Sequence, residues 1–331
     1  MGRIFTFGDV RVAASAAVVG REETKGPLGE KFDFHDDSNR FGAKTWEQAE
    51  AGAIGMALAF ALKKWGSPKP PELLFAGDLQ NQCMASAEGL LPFSFPYIGL
   101  YGACSTMTEG LLLASIALTA RVVETAAAAS SSHNAAAERQ FRLPLEYGGQ
   151  RAPTAQWTAT AAGAFVLRQG GDGVRITHGM AGRMVDSGIT DASNMGAAMA
   201  PAAADSILSF LKESGTAVHH YDAIVTGDLG TEGSALLSML CENEGVHLGD
   251  RHLDCGCLLY DLTRQDAHAG ASGCGCSAAV LSAHFLPLIR EGKLRRVLFL
   301  STGALMSPQS VEQGGDIYGI APCILLEEPN T

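Results

Sequence analysis

Two stretches of this 331-residue chain carry the same unit at the same spacing, and that repetition limits the possible folds more than any other feature. In the first, the short apolar segment LLFAGD (73–78) runs into Leu79 and precedes a glycine turn that holds Cys104. A helix without charge from Gly110 to Ala120 follows, and then a strand of small residues, VVETAAAASSSHN (122–134). In the second, YDAIVTGDLG (221–230) precedes a turn with Cys274 and Cys276, a helix uncharged as far as Ile289, and the strand RRVLFLSTGA (295–304). Twenty-six residues separate Cys104 from Ser130, and 26 separate Cys276 from Thr302. A helix apolar on every face is a buried one, and these are too short to span a bilayer. Two such helices, each flanked by strands, predict two sheets with the helices sandwiched between them.

The stretch Gly102–Arg121 is the centre of this reading. Thr106 and Glu109 have the spacing of a capping box, which predicts a helix start at Ser105 or Thr106. Cys104 then sits just before the cap, where N–H groups and the positive end of the helix dipole favour a thiolate or another anion. In the second half, Ser277 is the expected cap, and Pro287 is expected to kink the helix.

Elsewhere, residues 4–20 read as an opening strand and 21–45 as a surface loop. Trp46, Ala49, Ala53, Met56 and Phe60 fall at helical spacing and predict a helix over about 45–65, stopped by SPKPPE. Further helices are expected near 82–90 and 200–213, and strands at 164–169, 173–186 and 321–328, while PYIGLYG (96–102) leads into the central turn. The halves divide at 1–172 and 173–331. A net charge of −11 and the absence of any lysine or arginine run argue against nucleic acid as a partner. No secretory signal or membrane span is visible, so a cytoplasmic, soluble chain is expected, and its eight cysteines are expected as thiols.

This order of strand, cysteine turn, buried helix and strand, given twice, resembles the thiolase fold of condensing enzymes. That implies an α/β, five-layer αβαβα sandwich built from two related halves, a homodimer, and Cys104 at the nucleophile position. Longer motifs resemble one branch more closely. KGPLGEKFD (25–33), AGDLQNQ (76–82), LYGACST (100–106), SSHNAAAERQFRLPLEYGGQ (131–150), GRMVDSGITD (182–191), MGAAMAPAAAD (195–205), DCGCLLY (254–260) and GASGCGCSA (270–278) are similar to the stage V sporulation protein AD family. The resemblance implies a protein that binds dipicolinic acid (pyridine-2,6-dicarboxylate) or its calcium chelate. It also implies a role in uptake into the forespore during sporulation, with the other subunits of the membrane SpoVA assembly, and peripheral attachment to the spore inner membrane.

The residues separate this binding role from acyl condensation. The condensing enzymes resembled use a histidine from the second half and a second histidine or asparagine to move protons and polarise a carbonyl. Here the corresponding places read Gly227-Asp228-Leu229 and Gly273-Cys274-Gly275-Cys276. An aspartate cannot stabilise an oxyanion, so a non-enzyme is expected, with a condensing enzyme acylated on Cys104 as the alternative. Two carboxylates need N–H or cationic donors and a flat wall. The expected ligand-binding set is Cys104, His133, Asn134, Arg139, Arg142 and Arg151. The C-x-C pairs at 255/257 and 274/276 lack the usual zinc spacing, and neither GDLG nor GASGCG makes a dinucleotide fingerprint. No metal and no cofactor are expected.

Overall fold

The computed structural model describes residues 3–141 and 150–329. Its frame is one eleven-stranded sheet rather than the two separate sheets expected, and the join is made by the opening strand. Strand β1 (Phe5–Gly20) is 16 residues long, and two register shifts let it change partners along its length. Its early residues pair with β8 (Val174–Met180) and its later ones with β7 (Ala161–Gln169). Its last three residues pair with β2 (Phe34–Asp36), which lies in the stretch expected as loop and follows the short helix α1 (Arg21–Thr24).

On one side of β1 the order continues β7, β5 (Thr125–Ser132), β3 (Leu73–Gly77) and β4 (Tyr97–Leu100). On the other, β8 is followed by β15 (Cys323–Glu327), β12 (Arg296–Leu300), β9 (Ala223–Thr226) and β10 (His252–Asp254). The order is a palindrome about the β1–β8 pair. The first Gly-Asp-Leu strand, β3, and the second, β9, occupy matching places one strand in from each edge.

Five layers follow from what packs on each face. Helix α4 (Thr106–Thr119) and the helix opening with α9 (Cys274–Val280) lie between the sheet halves. There Met107, Leu111 and Leu118 share one core with Phe75, Phe165, Val225 and Phe299. Helix α2 (Trp46–Trp65) covers the outer face of β1, β3, β5 and β7. It starts at Thr45, whose hydroxyl accepts from the Gln48 N–H, and ends at Gly66 in the left-handed region at φ 68°. Helix α3 (Met84–Leu90) lies against it. Helices α6 (Met195–Ser214) and α7 (Gly230–Asn243) cover the outer face of the second half.

Small residues set how closely these layers approach. A side chain at Gly163 of β7 would stand 2.7 Å from the Ala278 Cβ of α9, and one at Gly110 of α4 would stand 3.4 Å from Ala128 of β5. The alanine-rich β5 and the glycines are thus the condition for burying uncharged helices between strands.

Three local expectations are corrected. Helix α6 begins at Met195, not near 200, because Asn194 caps it through the Ala197 N–H and Pro201 is carried inside. Helix α9 begins after Gly273, not at Ser277, whose hydroxyl instead donates back to the Cys274 carbonyl at 3.3 Å. Pro287 follows a π-helical turn, Leu281–Phe285, and the chain continues into α10 (Leu286–Arg290). The wider turn accommodates a residue that has no N–H to donate.

Candidate functional site

The ends of β3, β4, β5 and β9 and the starts of α4 and α9 converge on Cys104. After β4 the chain turns through Gly102 and Ala103, the latter left-handed at φ 53°, into a 3₁₀ turn at Ala103–Ser105 and then α4. The helix starts where expected, but no capping box forms. Ser105 Oγ donates to the Gly102 carbonyl (2.6 Å) and Thr106 Oγ1 to that of Ala103 (2.7 Å), so both hydroxyls lock the turn.

The partner turn before α9 comes from the second half. Gly273 is left-handed at φ 104°, and at Gly275 a side chain would stand 2.1 Å from the Ala161 carbonyl oxygen. Cys274 donates its thiol to the Ser131 carbonyl (2.9 Å), and its own carbonyl accepts from Ser130 Oγ (3.0 Å). Between the two turns lies Asp228, fully buried, just beyond β9. Thr302 Oγ1 donates to its Oδ1 (2.7 Å) and the Gly273 N–H to its Oδ2 (2.8 Å), and it faces the Cys104 thiol.

This geometry reverses the expected ionisation of Cys104. The thiol is only 5% exposed, and burial, followed by the negative charge of Asp228 and by Cys274, pushes its pKa well above the usual range. It is a protonated thiol near neutral pH, not a thiolate, because burial and a neighbouring carboxyl outweigh the helix end. Burial likewise raises Asp228 to about 7. Three of the second-half histidines are bonded elsewhere. His252 bonds Thr226 Oγ1 (2.9 Å), His268 bonds the Ala152 carbonyl (2.8 Å), and His284 bonds Lys31 (3.0 Å).

Cys104 opens onto a cavity of about 250 Å³. Its walls come from segments far apart in sequence. Tyr101 and Ala103 flank the cysteine, and Ala137, Glu138 and Phe141 come from α5 (Asn134–Phe141). The small ladder of β6 (Trp157–Thr158) and β11 (Ala271–Ser272) supplies the hydroxyl-bearing Thr158 and Ser272. Met195 opens α6, and Ala304, Leu305 and Met306 come from β13 (Gly303–Leu305) and the residue after it, where β13 pairs with β14 (Tyr318–Ile320).

Of the residues expected to hold a ligand, the structure brings only Cys104 to this cavity among those it describes. His133 is buried under the Trp46 ring with Nε2 on the Asn39 carbonyl (2.9 Å), and burial lowers its pKa. Asn134 opens α5, its N–H donating to Thr160 Oγ1 (3.1 Å). Arg139 pairs with Glu47 on the surface. Arg151 lies over the Trp157 ring, 4.5 Å from its centroid, and bonds the Asp266 carbonyl (2.6 Å). Arg142 lies outside the described residues. The arginine clamp is therefore not assembled from Arg139 and Arg151. Sequence reasoning placed Asp228 where the condensing enzymes carry a histidine but gave it no role in the site, and it passed over Thr158, Ser272, Tyr101 and Phe141. Only Asp228 carried a signal, its place in the repeated Gly-Asp-Leu.

Comparison with known proteins gives the family. The sequence pattern of stage V sporulation protein AD matches residues 4–327. The chain belongs to the stage V sporulation protein AD family. Stage V sporulation protein AD of Bacillus subtilis (strain 168) is 41% identical over 317 residues, covering 96% of this chain and 94% of the relative. Among solved structures, Xanthomonas campestris OleA superposes with a TM-score of 0.59 at 15% identity, covering 98% of this chain and 99% of that one. The 3-oxoacyl-[acyl-carrier-protein] synthase III of Aquifex aeolicus gives a TM-score of 0.57 at 12% identity, covering 96% and 99%. These likenesses establish a thiolase-like fold. Within this family member, the position facing the cysteine is a carboxyl.

Proposed function

We propose that this sporulation protein binds dipicolinic acid, or its calcium chelate, in the Cys104 cavity without transforming it, and so supports its uptake into the forespore. The observation that carries the reading is the pairing of the Cys104 thiol with the Asp228 carboxyl. Nucleophilic acyl transfer needs a base to take the thiol proton and donors for the developing oxyanion. A buried carboxyl with a pKa of about 7 is a poor base for a thiol raised well above it, and His252, His268 and His284 of the second half are bonded to other groups.

Binding uses different features. Tyr101 and Phe141 offer flat faces to a single aromatic ring, with Leu79, Met195 and Met306 around them. The hydroxyls of Thr158 and Ser272 and the N-terminal end of α4 are suited to carboxylate oxygens. No helix among the described residues is long and apolar enough to cross a membrane. Attachment at the spore inner membrane is accordingly assigned to docking on the other SpoVA subunits. The free edge of β4, with Tyr97, Ile98, Tyr101, Met84 and Leu91 exposed around it, suits pairing with a second copy as a homodimer.

Dipicolinate should raise the melting temperature of the purified chain, as a ligand preferring the folded state must. Incubation with acyl-coenzyme A followed by intact-mass measurement should leave Cys104 unmodified. A stable acyl adduct on that residue would reverse the conclusion in favour of a condensing enzyme.

A further inference from the structure

We propose that Asp228 is the proton acceptor of the cavity, so that a dicarboxylate dianion seated against Cys104 enters together with one proton that comes to rest on the Asp228 carboxyl. The proposal rests on the dicarboxylate reading above and specifies how its charge is accommodated.

The argument starts from what surrounds the carboxyl. Its two oxygens accept from neutral donors, the Thr302 hydroxyl (2.7 Å), the Gly273 N–H (2.8 Å) and the Cys104 thiol, so none brings a countercharge. The titratable groups facing it are Cys104 from the turn before α4, Cys274 and Cys276 from α9, and Cys255 and Asp254 from the end of β10 onward. Every one is a thiol or a carboxyl. His252 is turned to Thr226 and lies beside Asp254, one step further away.

Among the described residues, an anion in the cavity therefore meets no positive side chain at its floor, and the Glu138 carboxyl stands at its wall. The repulsion between two charges a few ångströms apart in a protein interior is several-fold larger than in water. It can be relieved by protonating one of the groups present. The Cys104 thiol already holds its proton. Asp254 is the better-stabilised carboxylate, accepting from the N–H groups of Leu229, Gly230 and Cys257 and from the Thr226 hydroxyl. Asp228 has three donors, one of them the weak Cys104 thiol, and stands directly behind the cysteine, and burial already brings it to about 7. It is the group that a nearby dianion tips into the neutral form.

The test is isothermal titration of dipicolinate into the full-length protein from pH 6 to 8.5, in phosphate and in Tris. The two buffers differ in ionisation enthalpy, so the difference in heat counts protons. The expected result is little uptake at pH 6, uptake approaching one proton per ligand by pH 8, and affinity falling by up to tenfold per pH unit above about pH 7. Asp228→Asn should bind without proton uptake and with a flat pH profile, while Asp172→Asn, exposed and outside the cavity lining, should keep the wild-type uptake. Thr302→Val removes one donor to the carboxylate and should move the onset of uptake to higher pH, giving a second readout should Asp228→Asn fail to fold. Wild-type binding without proton uptake, uptake that survives in Asp228→Asn, or uptake lost in Asp172→Asn overturns the proposal alone. Absence of dipicolinate binding at every pH overturns the dicarboxylate reading, and this inference with it.

Discussion

Replacing Asp228 by asparagine should change the stability of the unliganded protein in a way that depends on pH. The carboxyl is fully buried, and its pKa rises from an ordinary 3.8 to about 7. An acid that holds its proton more tightly when folded stabilises the fold fully below its unfolded pKa. That contribution is lost as pH rises towards the folded value. A shift of roughly three units at ~1.4 kcal/mol each makes the term about 4 kcal/mol between pH 4 and pH 8. Unfolding entropies of about 2.1 cal/mol/K per residue convert this to about 6 °C in melting temperature for a chain of this length. Asp228→Asn cannot ionise, so its deficit relative to wild type should shrink by about that amount on going from pH 4.5 to pH 8.5. Paired calorimetric scans at four pH values give the difference directly, with other titrating groups cancelling. A deficit that stays constant, or widens as pH rises, would show that the carboxyl is ionised in the fold at neutral pH, and the protonated floor of the cavity would be wrong.

Gly275→Ala places a methyl 2.1 Å from the Ala161 carbonyl oxygen, and should cost about 3 kcal/mol by overpacking. Gly8→Ala, whose nearest neighbour is 3.8 Å away, should be near neutral in the same denaturation assay. Leu111→Ala, in the core between the sheet halves, should cost about 2–5 kcal/mol in chemical unfolding. Iodoacetamide at pH 7.5 should modify Cys104 more slowly than it does reduced glutathione, with the rate rising in Asp228→Asn. Peptide mass spectrometry showing glutathione-like labelling in wild type would contradict the buried, protonated thiol. Ile98→Lys on the exposed β4 edge should convert a dimer to a monomer in light scattering, and a wild-type monomer at the same concentration would remove the dimer proposal.

The parts of the fold legible in sequence were those written in local pattern. Thr45 and Gly66 bracket α2 because a hydroxyl cap and a left-handed stop are chemical signals within a few residues of the helix they bound. The uncharged stretch after Cys104 marked a buried helix, since no face of it could be left in water. Pro201 obscured the start of α6, because the capping Asn194 lies about two turns upstream of it. The site was legible only at its centre. Arg139 and His133 are conspicuous in sequence, but their partners, Glu47 and the Asn39 carbonyl, lie more than ninety residues earlier and draw them from the cavity. Asp78 and Asp228 stand in the same repeated motif with different surroundings. The first is bonded by Ser86 and the Gln80 N–H, the second by Thr302 and Gly273 beside the cysteine. A repeat tells where a residue stands in the fold, but its bonding partners come from elements that the repeat does not specify.

The most direct test of the central claim is a crystal structure of the protein grown with dipicolinate. The account predicts an intact pyridine ring between the Tyr101 and Phe141 faces, carboxylates towards Thr158, Ser272 and the start of α4, and an unmodified Cys104 behind it. Dipicolinate found at a different place, or a covalent adduct on the Cys104 sulfur, would contradict it.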